Sequence, residues 1–241
     1  MAKDDRTPVA GTTSQISTSG RAEIDAFLEK ARTLTAAKAA DGKRGRLVFA
    51  MDATMSRQPT WDIACSIQAD MFREAAATGG LDIQLVYFRG LGECRASRFV
   101  SGAQELGTLM SRIACHGGHT QIGRVLSHVR KENEAHRVQA LVYVGDAMEE
   151  KLDDLCAAAG ELGMLGVPAF LFQEGNEPVA EQAFREMARL SNGAYCKFSS
   201  GAAHELAELL RAVAAYAAGG LKALENARSG SAAAKLLAQM K

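Results

Sequence analysis

Asp52, Thr54 and Ser56 alternate along Asp52-Ala53-Thr54-Met55-Ser56, directly after the apolar run Leu47-Val48-Phe49-Ala50-Met51. The run reads as a buried strand, so a carboxylate and two hydroxyls stand where that strand opens into a loop. In open α/β sheets, ligands gather beyond the carboxyl ends of the strands. These side chains offer hard oxygens, the donors that Mg²⁺ or Ca²⁺ prefers. Two further oxygens occupy similar places. Thr120 lies in Gly117-Gly118-His119-Thr120-Gln121, a glycine-made loop just before a helical pattern. Asp146 follows the apolar run Leu141-Val142-Tyr143-Val144 and Gly145.

These oxygens need a frame, and the chain alternates in a way that supplies one. Strands are expected at 47–51, 83–88, 94–100, 140–144, 169–173 and 194–198. Helical spacing covers 60–77, 104–113, 122–133, 152–165, 179–190 and 204–218, with Gly219-Gly220 as the stop. Apolar runs too short for helices and separated by helices predict an α/β fold: a doubly wound, Rossmann-like, mostly parallel sheet with helices on both faces. The polar third strand is expected to be an antiparallel edge. Residues 1–20 are rich in Ser, Thr and Gly and read as disordered. Residues 21–42 form an extension whose Ile24, Phe27, Leu28, Ala31 and Leu34 recur at helical spacing. The domain proper spans 43–218. The tail 219–241 reads as helical, interrupted at Ser229-Gly230-Ser231; its small apolar face packs on its own domain or docks on another protein.

Composition narrows the function. With 241 residues, one large α/β domain with extra helices fits better than two full domains. Lys plus Arg and Asp plus Glu both number 28, so no global charge draws the chain to nucleic acid or an anionic membrane. No segment reaches the roughly 20 apolar residues that span a bilayer. Cys65, Cys94, Cys115, Cys156 and Cys196 are scattered, which points to a reducing compartment. A cytoplasmic location is the expectation.

Asp-x-Thr-x-Ser after the first strand, Gly-Gly-x-Thr before a helix and an Asp after the next strand together resemble the von Willebrand factor A (VWA) family. The likeness covers about residues 43–218. It implies a six-stranded sheet whose third strand is the antiparallel edge, and a metal ion-dependent adhesion site (MIDAS). Carried over, Thr54, Ser56 and Thr120 are direct hydroxyl ligands, while Asp52 and Asp146 act mostly through metal-bound water. The implied ion is Mg²⁺, with Mn²⁺ or Ca²⁺ as substitutes. Thr54 stands where the family usually has Ser, and Gly145-Asp146-Ala147 replaces its usual Asp-Gly. Three neutral hydroxyls leave the ion electron-poor, so an acidic side chain of a protein partner can fill the open position. The resemblance implies an intracellular assembly as the setting, for instance beside an ATPase or a chaperone-like machine.

Two other readings compete with this non-catalytic one. Asp52 could be the nucleophile of a Mg²⁺-dependent phosphoryl-transfer enzyme, but haloacid dehalogenase-like phosphatases carry a second Asp where this chain has Thr54. The domain could also be a metal-independent scaffold. Cys115, His116 and His119 lack the paired spacing of a zinc site, and Cys115-His116 lacks a third orienting group for nucleophilic catalysis. Glu149, Glu150, Asp153 and Asp154 are expected to favour the N-terminus of the helix that follows them. Arg57, Trp61 and Arg89 are candidates for the rim, with Trp61 either a partner contact or core packing.

Overall fold

A computed structural model describes residues 44–76, 80–199, 201–227 and 231–240. The expected segments 1–20 and 21–42 lie outside the described residues. The chain runs β1 (Gly45–Asp52), a 3₁₀ turn (Met55–Arg57), α1 (Gln58–Ala76), β2 (Leu81–Arg89), β3 (Glu93–Val100), α2 (Ala103–Met110) and α3 (Ile122–Ala135). It continues β4 (Ala140–Gly145), α4 (Leu152–Met164), β5 (Ala169–Glu174), α5 (Pro178–Leu190), β6 (Ala194–Phe198), α6 (Ala203–Asn226) and α7 (Ser231–Gln239).

The strands form one six-stranded sheet in the order β3-β2-β1-β4-β5-β6. β3 alone runs antiparallel, at the edge, as its polarity predicts. β1 is central, paired in parallel with β2 on one side and β4 on the other. Its residues alternate between two cores: Leu47, Phe49 and Met51 face α1, α2, α6 and α7, whereas Val48 and Ala50 face α3, α4 and α5. Period-two alternation on a sheet covered on both faces makes the whole strand apolar. The residues of β1 in both cores are buried, so the strand delivers its last residue, Asp52, to the carboxyl end of the sheet still buried.

Local chemistry sets the helix ends. α5 begins at Pro178, and the Glu177 carboxylate accepts from Val179 N at 3.1 Å and from Ala180 N. The helical run that opens α6 stops at Gly219-Gly220 as expected, because Gly220, at φ 70° and ψ −163°, lies outside helical space. That φ suits glycine, and a second helical run continues from the kink to Asn226. The apolar surface beyond the kink supplies the reason, since Leu224 is buried in the first core. α6 also passes so close to β1 that a Cβ on Gly45 would lie 2.1 Å from the Ala217 carbonyl oxygen.

The tail packs on its own domain. Ala233, Leu236 and Leu237 of α7 join the first core. Gln239 then reaches the edge strand β6: its Oε1 accepts from Tyr195 N at 2.9 Å and its Nε2 donates to Tyr195 O at 2.9 Å. The amide thereby gives an edge residue the pairing a seventh strand would give, and blunts the edge against other chains. Gln239→Ala removes both bonds and is expected to cost about 1–2 kcal/mol in urea unfolding. Unchanged stability would show that water serves Tyr195 equally well.

Candidate metal centre

The 3₁₀ turn after β1 folds the motif back over the sheet. Asp52 Oδ1 accepts from Thr54 N at 2.7 Å, an Asx-type turn that fixes the direction of the loop. Thr54 Oγ1 and Ser56 Oγ lie 3.3 Å apart, and Ser56 Oγ donates to Asp146 Oδ2 at 3.2 Å. Four of the five expected site residues thus form one connected chain across the ends of β1 and β4. Register explains the meeting: Met51 pairs with Val144, so the next residues of both strands emerge side by side.

Thr120 arrives on a different support. The 113–121 loop is tied to the site by His116 N donating to Ala53 O at 3.0 Å and to the β2–β3 turn by His119 N donating to Gly90 O at 3.2 Å. Gly118 permits this approach, since a Cβ there would lie 2.2 Å from the Gly90 carbonyl oxygen. Thr120 Oγ1 accepts from Glu149 N at 3.0 Å, and its own N–H donates to Glu149 Oε2 at 3.0 Å. No hydrogen bond joins Thr120 to the other four site residues among the described residues. A hydroxyl has two lone pairs, so the bond from Glu149 leaves Thr120 able to take a further partner.

Glu149 and Glu150 do not serve α4 as expected. Glu150 reaches back to the start of α3, accepting from Ile122 N at 2.5 Å and Gly123 N at 2.9 Å. The Gln121 side chain does not cap that helix, so its first N–H groups are left for the nearest carboxylate. The Thr120 N–H, with His119 beside it, holds the Glu149 carboxyl below its ordinary range. Asp153 and Asp154 do lie in the first turn of α4.

The rim differs from expectation as well. Trp61 is only 1% exposed; its Nε1 donates to Met110 O at 3.2 Å and its ring stands edge-on to Tyr87. Arg89 is held by Glu93 and by Ala114 O. Arg57 is buried rather than exposed at the rim. Its Nη1 lies 3.1 Å from Asp146 Oδ2, while Nη2 contacts Glu174 and donates to Thr60 Oγ1 at 2.7 Å. Sequence reading did not single out Glu174. Its signal was a carboxylate closing an apolar strand, the same signal that marked Asp146.

Electrostatically the site is short of positive charge. Asp52 is 2% exposed, and no Lys, Arg or His forms an ion pair with it among the described residues. Burial pushes its carboxyl up to about 6, against the Thr54 N–H bond, which pulls the other way. Tyr143 Oη, buried beneath and within the field of Asp52, Glu150 and Asp146, has no hydrogen-bond partner. A buried carboxylate with one donor, beside two hydroxyls whose oxygens keep free lone pairs, suits a hard divalent cation. By contrast, no group of three or more His, Cys, Asp or Glu side chains is disposed for a metal among the described residues, so the Cys115, His116 and His119 zinc reading finds no cluster.

No family model matches the chain, and no curated protein matches it by sequence. Its fold matches solved structures. The SpRpn10 VWA domain aligns at TM-score 0.55 and 12% identity, over 69% of this chain and 95% of that one. An aerotolerance-related membrane protein from Bacteroides fragilis aligns at TM-score 0.51 and 14% identity, over 69% and 98%. Proximal thread matrix protein 1 from the mussel byssus, in a structure with a zinc-occupied MIDAS motif, aligns at TM-score 0.55 and 15% identity, over 71% and 46%.

Asp52→Asn keeps the acceptor for Thr54 N and removes the uncompensated charge. In chelator at neutral pH it is expected to stabilise the protein by about 1–3 kcal/mol, read by urea unfolding. A destabilised variant would mean that the charge is already compensated within the chain. At these identities the likeness concerns architecture, and the chain has a VWA-like α/β fold.

Proposed function

We propose that this protein is a non-catalytic interaction module that binds a divalent cation at the carboxyl end of its sheet and uses it to hold an acidic side chain of a protein partner. The observation that carries this reading is the connected oxygen chain Thr54–Ser56–Asp146 beside the buried, unpaired carboxylate of Asp52. Thr54, Ser56 and Thr120 would contribute hydroxyl oxygens. Asp52 and Asp146 would orient bound water and balance charge. Mg²⁺ suits such a set because it takes oxygen ligands and retains water, and Mn²⁺ is the natural probe for it. The metal supplies a Lewis-acidic position for a carboxylate; the protein supplies its shape.

The rim suits a macromolecular partner. Met55, inside the motif itself, is largely exposed, as are Leu91 at the β2–β3 turn and Val179 at the start of α5. All three belong to segments that follow the carboxyl ends of β1, β2 and β5. Apolar side chains that ring a polar centre exclude water from it and strengthen a charged contact there. The zinc-occupied MIDAS motif of the mussel protein supports cation binding in a domain of this fold. Phosphoryl transfer has less support, because Asp52 is almost fully buried and position 54 offers no acid or base. No described helix is long and apolar enough to cross a membrane. We place the module in an intracellular assembly, of which an ATPase or a chaperone-like machine is one kind.

Titration calorimetry with Mg²⁺ and Mn²⁺ tests the reading. The wild-type chain should bind one ion, with loss of roughly tenfold or more in affinity in Thr54→Ala and Asp146→Ala. Binding unaffected by either substitution would move the ion elsewhere. Hydrolysis of a generic phosphate ester that disappears in Asp52→Asn would replace this reading with the enzymatic one.

A further inference from the structure

Arg57 directly follows the last oxygen of the motif, and the residue is 4% exposed. Its arrangement is not that of a surface residue folded inward by chance. Nη1 holds Asp146 Oδ2, and Nη2 holds Glu174 and Thr60, leaving the buried Nε without a partner. The contacts span three strand ends, from β1 across β4 to β5. Glu174 is buried as deeply as Arg57, whereas the Asp146 side chain is about one quarter exposed. Asp52, Asp146 and Glu174 stand at the ends of three adjacent strands, β1, β4 and β5. Glu174 and Asp146 both reach the guanidinium, and Asp52 does not.

We propose that Arg57 competes with the metal ion for Asp146. This rests on the reading of the oxygens as a cation site and states what regulates it. Asp146 Oδ2 already receives both Ser56 Oγ and Arg57 Nη1. An ion held near Asp52, Thr54 and Ser56 would stand within a few ångströms of a fixed positive charge. The guanidinium is buried while Ser56 and Asp146 meet solvent, so salt and water screen that repulsion only in part. Retreat of the guanidinium would strip Glu174 of its counter-ion. Arg57 accordingly lowers the affinity of the site for a bare cation. An arriving carboxylate supplies the missing negative charge, so ion and acidic ligand favour each other's binding by the same factor. The site then binds the bare ion weakly and holds it more tightly together with its partner.

The test uses the full chain, with Mg²⁺ and Mn²⁺ alone as probes in titration calorimetry. Arg57→Met/Glu174→Gln removes both halves of the buried pair, which avoids leaving an isolated charge. Thermal unfolding in chelator reports whether it folds. The double variant is expected to bind at least about tenfold more tightly than the wild type. Arg57→Lys, which keeps the charge, should stay within about threefold of the wild type. Equal or weaker binding by the double variant overturns it while leaving the cation site standing. Binding by none of the variants, wild type included, removes both. A readout on the wild type does not depend on the variants folding. Adding Mg²⁺ should shift the Arg57 side-chain nitrogen signals in nuclear magnetic resonance as the Asp146 contact weakens. Bound metal with unshifted Arg57 signals also overturns the proposal.

Discussion

The burial of the Asp52 carboxylate at the mouth of the central strand is the constraint around which this end of the molecule is arranged. β1 lies between β2 and β4 and is covered by helices on both faces, so its last side chain leaves water before the loop begins. A desolvated carboxylate is expensive unless donors or cations meet it. The chain supplies a single backbone donor from Thr54 and directs two hydroxyls to the neighbouring strand end. It keeps its nearest guanidinium for Asp146 and Glu174.

The remaining contacts hold this deficit in place. Glu150 binds the first amides of α3, and Glu149 binds both the amide and the hydroxyl of Thr120 through its own side chain and backbone. These two acidic residues therefore brace the loop that carries Thr120, and their charge is committed to backbone donors. The Gly118–Gly90 approach presses the same loop against the β2–β3 turn. At the far edge of the sheet, Gln239 closes β6.

Much of this was legible in the sequence. All six strands announced themselves as short apolar or alternating runs, and the antiparallel edge strand betrayed itself by Arg95, Ser97 and Arg98. Asp52, Thr54, Ser56 and Asp146 could be paired in advance because each follows a strand, and parallel strands deliver their ends to one side. What could not be read was the choice of partners across loops. Glu150 serves α3 rather than α4 because spatial proximity outweighs chain order. Arg57 looks exposed in a polar loop, yet Glu174, over a hundred residues later, draws it inward. Trp61 stands near the motif in sequence, but its place on α1 turns it into the core. Gly220 ends one helical run as expected, and a second follows at once because its Leu224 is buried in the core.

The central claim is that oxygens from β1, the 113–121 loop and β4 enclose one divalent cation. Anomalous diffraction from crystals grown with Mn²⁺ tests it most directly. The account predicts a single strong anomalous peak in contact with Thr54 Oγ1 and Ser56 Oγ, with Thr120 Oγ1 drawn toward it and Asp52 and Asp146 reaching it through water. A peak elsewhere on the chain, or none while Arg57 still grips Asp146 at high Mn²⁺, would contradict it.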